Sequence, residues 1–207
     1  MTPFDTLWAG DLLDQVGFGA GDRVLDLAAA GGRGGGSTLP FGDASFDVVV
    51  CHHGLQLLPD RGRALAEVRR VLAPRGWAAV AVWGPIGRNP AFAALAESLE
   101  RRAGVRVAAA VRWPFCLPEP DDLRAVLAGA GFDAIRVRTA HKAVRFPSVA
   151  EFLRRYLSGS PAGAAAAHLP ERDRRRVLAD LETALGPWVD TAGMRVVTEA
   201  NIAVAAR

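Results

Sequence analysis

Lysine is almost missing from this 207-residue sequence: Lys142 is the only one among 25 basic residues, and the others are arginines. The doublets Arg69-Arg70, Arg101-Arg102 and Arg154-Arg155 and the triplet at 174–176 are scattered and lie near Asp or Glu. A nucleic-acid binder gathers such charge on one face with aromatic or motif support. The pattern therefore reads as solvated helix faces and argues against nucleic acid as a partner. Cysteine is scarce too. Cys51 and Cys116 form no disulfide framework and sit in apolar stretches. With no signal peptide ahead of them, a reducing, cytoplasmic location is expected. No apolar run approaches the ~20 residues of a transmembrane helix, which argues against a membrane partner. No histidine or cysteine cluster has ligand spacing, so no metal is expected. Half of the residues are hydrophobic and the net charge is only +3, which suits one globular domain with a real core.

What is present alternates between two periods. Phe4, Leu7, Trp8, Leu12, Leu13 and Val16 form one apolar helix face, ended by Gly17, Gly19 and Gly21. Residues 23–27 read as a buried strand closed by a run of small residues over 28–36. Residues 46–51, with Val48-Val49-Val50 unbroken, read as a parallel strand covered on both faces. Asp60 is placed to cap a helix whose core face is Leu65, Val68, Val71 and Leu72, stopped by Pro74 and Gly76. A strand over 77–83 and a helix from Pro90 follow. Such an order means a parallel sheet with helical crossovers. Further on, a helix is expected over 121–130, a strand over 134–139, and a helix behind the capping box Ser148/Glu151. A mobile loop is expected over 158–167, then a long helix from Pro170 and a last strand over 195–205.

Three segments in order carry a resemblance. Gly21-Asp22-Arg23-Val24-Leu25-Asp26-Leu27-Ala28 followed by a glycine turn resembles the first strand and SAM-binding loop of class I SAM-dependent methyltransferases. Leu39-Pro40-Phe41 with Ser45-Phe46-Asp47-Val48-Val49 resembles the approach to that family's fourth strand. Gly54-Leu55-Gln56, Asp60-Arg61 and the run 67–76 resemble the helix and turn that follow. The sequence is most similar to small-molecule methyltransferases related to ubiquinone and menaquinone biosynthesis. The resemblance implies a Rossmann-like α/β fold over 1–207, with lid or acceptor-pocket elements at about 104–120 and 141–190.

The departures are as informative. Ala29-Ala30-Gly31-Gly32 stands where Cys-Gly-x-Gly is common in the family, and only residues 33–38 separate this turn from Leu39. The family places two strands and two helices there, so roughly 40 residues are missing, more than one βαβ unit. No acidic residue occurs between Asp26 and Asp43 to hold the ribose hydroxyls. The implied sheet has about five strands, the family's order 3-2-1-4-5-7-6 reduced to 1-4-5-7-6, with strand one at an edge. Such an edge tends to pair, so a homodimer or heteromer through it is expected, or cover by the N-terminal helix.

Ligands of such sheets bind beyond the carboxyl ends of the strands. The resemblance assigns Asp26, Ala28, Gly31, Gly32, Leu39, Phe41 and Cys51 to the cofactor side. His52 and His53 are the candidate acid/base pair, of which strand alternation points only one into the crevice. The alternative is that both are polar strand-end residues lining a pocket or facing solvent. Trp83, Trp113, Phe115 and Cys116 lie where the family's lid closes, as an apolar floor for a small organic substrate or as plain core. SAM is thus a possible cofactor without high affinity. The expected function is small-molecule acid/base chemistry, cyclisation or isomerisation, on a degenerate methyltransferase fold. Two alternatives stand beside it: a working methyltransferase completed by a partner subunit, and a non-catalytic partner of a full-length relative.

Overall fold

The computed structural model describes residues 7–27 and 38–207. The candidates Ala28, Gly31 and Gly32, and Phe4 of the first helix, lie outside the described residues.

The chain forms a mixed α/β fold of the expected class. Strand β1 (Val24–Asp26) pairs in parallel with β2 (Phe46–His52), and β2 in parallel with β3 (Leu72–Trp83). Strand β4 (Asp133–Phe146) and the short β5 (Val189–Asp190) precede β6 (Gly193–Ala206), which runs antiparallel to β3. The sheet order is β1-β2-β3-β6-β4, with β5 paired to β6. That sixth strand departs from the expected five. Among the described residues β1 has one strand neighbour, β2, and Val24 on it is 39% exposed.

Two compact units divide the chain. Among the described residues, one comprises those up to Gly84 with Leu117–Ala140 and Ala200–Arg207; the other comprises Pro85–Cys116 and His141–Glu199.

In the first unit, helix α1 (Ala9–Val16) ends on Gly17, whose left-handed backbone (φ 60°) an unbranched glycine adopts without strain. Trp8 and Leu12 are buried against Ala79, Ala81, Ile202 and Val204. The alanines on this sheet face leave the depth an indole needs. The helix therefore lies on the face of the sheet, where a cover for the β1 edge was one expectation. Helix α2 (Arg61–Val71) starts where Asp60 accepts a hydrogen bond from the Arg63 amide (2.9 Å) and buries Leu65, Val68 and Val71 as its spacing requires. Its last residue runs straight into β3, which starts earlier than Pro74 and Gly76 suggest.

In the second unit, helix α3 (Pro90–Ala103) buries Phe92, Leu95 and Leu99. Helix α4 (Val105–Arg112) follows it. Helix α5 (Pro120–Gly129), back in the first unit, matches its expected span. Helix α6 (Val149–Ser158) is capped by Ser148, which accepts from the Glu151 amide (3.1 Å). The expected mobile loop over 158–167 is instead largely helix α7 (Pro161–Ala166): Pro161 presets the first turn, and Ala162 and Ala166 bury one side. Helix α8 (Glu171–Leu185) is the long charged one. No helix among the described residues is long and apolar enough to cross a membrane.

Candidate functional site

The register Val24↔Val48, Leu25↔Val49, Asp26↔Val50 brings the carboxyl ends of β1 and β2 side by side. Asp26 ends the first strand, and Cys51 and His52 end the second. Arg23 locks the other end, donating to both carboxylate oxygens of Asp47 at 3.0 Å. That pairing holds the Asp47 carboxyl down at about 2.

The segment 39–43 is tied to α2 by a clamp. Leu39 is buried, and its amide donates to Glu67 Oε2 (2.9 Å). Arg70 donates to Glu67 (2.8 Å), to the carbonyls of Phe41 (2.9 Å) and Leu39 (3.2 Å), and to Asp43 (2.7 Å). The Phe41 ring meets Phe46 edge-on at 4.9 Å. Arg70, then the Leu39 amide, hold the Glu67 carboxyl at about 2. Its native value is depressed, so its stabilisation is present above the ordinary carboxylate range and is lost as pH falls from about 4.5 towards 2. Glu67→Gln is expected to flatten this acid limb, removing about 1 kcal/mol at pH 7 after solvent screening. Urea midpoints of both proteins at pH 7 and 3 check it. Equal acid sensitivity would show that the clamp carries no such linkage.

The histidines sit in different environments. His52 Nε2 accepts a hydrogen bond from the backbone amide of Trp8 (3.2 Å), at the start of α1, which leaves the ring proton on Nδ1. His53 turns out of the strand with a left-handed backbone (φ 51°), and its own amide donates to the Ala81 carbonyl. Its ring stacks on Trp83 at 3.9 Å and 7°, and meets His52 edge-on at 4.5 Å. Both His53 ring nitrogens are buried without a hydrogen-bond partner among the described residues. Burial, then the neighbouring His52, push its pKa well below the ordinary imidazole value, so the ring is neutral. Trp83 is 7% exposed.

Cys51 is buried, and burial pushes its thiol up to about 12 despite the Gly54 and Leu55 amides directed at it. It is no nucleophile at neutral pH. Trp113, Phe115 and Cys116 belong to the second unit. Trp113 is 54% exposed and Cys116 is half-buried. Phe115 packs on Phe92 (5.5 Å), which also meets Phe152 and Tyr156. His141 is exposed and pairs with Glu199 (2.8 Å). No group of three or more His, Cys, Asp or Glu among the described residues is placed to hold a metal ion.

The site residues that sequence reasoning left out are Trp8, Glu67 and Arg70. The i, i+3 spacing of Glu67 and Arg70 within the recognised run 67–76 was the available signal for the clamp.

Residues 15–80 match the methyltransferase domain family, a segment running from the end of α1 through β1, β2 and α2 into β3. That segment, and the fold shared with structural neighbours, make the chain similar to class I SAM-dependent methyltransferases. Demethylmenaquinone methyltransferase of Mycobacterium sp. (strain KMS) is 31% identical over 141 residues, covering 52% of this chain and 61% of that relative, less than two thirds of its length. A Bacillus halodurans structure described as a methyltransferase shares the fold at TM-score 0.57 and 14% identity, over 95% of this chain and 97% of the other. Phosphoethanolamine N-methyltransferase 2 of Haemonchus contortus, solved with phosphomonomethylethanolamine and S-adenosylhomocysteine, gives 0.50 at 13% identity, over 95% and 51%.

Proposed function

We propose that the chain is a small-molecule methyltransferase that works at the carboxyl ends of β1 and β2, with a weakened SAM site and His53 as the proton acceptor. The family match over 15–80 carries this reading, because that segment supplies both strands of the crevice. The described residues fit SAM in two respects. Asp26 presents an exposed carboxylate at the end of β1, and the clamped Leu39 offers an apolar wall. In a third respect they do not: the sequence has no acid between Asp26 and Asp43 for the ribose. A shortened donor half belongs to this proposal. Its support is that an alignment of 141 positions takes in only 52% of this chain, about 108 residues.

SAM, when bound, supplies an electrophilic methyl group. The chain's own part is to take the proton that the acceptor gives up. His53 is the base by position: its ring is neutral, fixed in plane by Trp83 and has no hydrogen-bond partner among the described residues. Since burial lowers its basicity, it takes a proton only when bound substrate displaces the apolar cover. An acceptor reaching that nitrogen displaces apolar cover and breaks no hydrogen bond. His52, committed to the Trp8 amide, orients the start of α1 and does not exchange protons with substrate.

A second reading, acid/base chemistry such as cyclisation or isomerisation without methyl transfer, is favoured by the missing ribose carboxylate. Calorimetric titration with SAM and S-adenosylhomocysteine separates the two. Loss of one bidentate pair predicts a Kd raised at least about tenfold from a micromolar site, into the tens to hundreds of micromolar. No binding at millimolar ligand would overturn methyl transfer and leave the second reading.

A further inference from the structure

The second unit contains an apolar cavity of about 210 Å³ that takes no residue from the crevice. Its walls come from α3, α6, α7 and α8, chiefly Leu99, Leu153, Leu157, Leu169, Val177 and Leu178. Arg154 and Arg174 stand at the rim. Their situations differ. Arg154 is spent on Glu151, donating through Nε (2.8 Å) and Nη2 (2.7 Å). Arg174 donates one Nη2 hydrogen to the Ala167 carbonyl (2.6 Å), while carboxylates of its helix pair with other arginines: Glu171 with Arg175, Asp173 with Arg172 and Arg176, and Asp180 with Arg101 and Arg102. Among the described residues its charge is therefore left without a carboxylate, beside an apolar chamber.

We propose that this cavity is a binding site for a medium-chain aliphatic carboxylate, with its tail among the leucines and its carboxylate on Arg174. Size sets the tail. An apolar cavity of about 150 Å³ takes a six-carbon ring, so one of 210 Å³ takes about eight carbons. It is too small for a nucleoside cofactor, since whole-ligand sites start at about 300 Å³. Charge sets the head. A guanidinium with free donors pairs with a carboxylate in fork geometry, and a neutral alcohol cannot use it in the same way.

Calorimetry with octanoate and with 1-octanol tests the assignment on the full chain. Octanoate is expected to bind saturably, and Arg174→Gln to weaken it about tenfold or more while leaving 1-octanol unchanged. Ala150→Trp, at an exposed wall position where the added indole fills the chamber, is expected to abolish both. Circular dichroism and thermal melts confirm that each variant is folded. Absence of saturable octanoate binding to the unaltered protein would overturn the proposal, as would octanoate binding indifferent to both substitutions. Neither result depends on whether SAM binds in the crevice.

Discussion

Gly193→Ala is expected to destabilise the protein by about 3–5 kcal/mol, summing backbone strain with steric overpacking. Gly193 opens β6 at φ 108°, a region closed to side chains, where it pairs with Asp190 across the β5–β6 turn. A Cβ there would lie 2.3 Å from the Phe146 carbonyl oxygen and 2.9 Å from that of Pro147. Both obstacles are backbone, so neither can swing aside as a flexible side chain would. Gly129, the last residue of α5, with nothing within 4 Å of its would-be Cβ, is the control. Gly129→Ala is expected to stabilise by about 0.5–1 kcal/mol. Urea denaturation midpoints measure both. A Gly193→Ala midpoint within error of the parent would show that the turn relaxes freely.

Asn89→Ala should cost about 2–4 kcal/mol and release the middle of β6. Asn89 is fully buried before α3 and serves two backbones at once. Its Oδ1 accepts from the Glu199 amide (3.0 Å), and its Nδ2 donates to the carbonyls of Pro85 (3.0 Å) and Glu199 (3.3 Å). Alanine leaves those groups buried without partners, which costs more than the bonds themselves were worth. Amide hydrogen exchange at Glu199 is the direct readout, with an acceleration of about a hundredfold expected, the equivalent of ~2.7 kcal/mol of lost local protection. Unchanged exchange would mean that the strand ladder alone protects it.

These two residues show where sequence reasoning stops. Val48-Val49-Val50, the Asp60 cap and the Phe92, Leu95, Leu99 stripe were legible because each is a local pattern with one physical reading: burial on both faces, an oxygen for an orphan amide, a helical period. The same logic gave the α/β class. Helix α4 was not legible, since its eight residues are mostly alanine and valine between arginines and no side chain caps its start at Gly104. Helix α7 was lost for the opposite reason: Ser, Gly and Ala read as loop until Ala162 and Ala166 find a partner surface. At the site, the position of the histidine pair could be read from the strand, but the commitment of His52 to the Trp8 amide spans 44 residues of sequence. No spacing rule reaches that far.

The position of β6 within the sheet bears on how the protein comes off the ribosome. It follows every other strand in the chain, yet it sits between β3 and β4. Until residues 193–206 have emerged, the edge of β3 that β6 will cover stays open, with Ala79, Val80, Ala81 and Val82 along it. Such an apolar edge is a template for neighbouring nascent chains. The α2–β3 half can collapse early around parallel β2 and β3, but closure of the sheet waits for the last strand to be made. Slow translation through α8 therefore lengthens the time spent with that edge bare, and a chain-binding chaperone at this stage would act on β3.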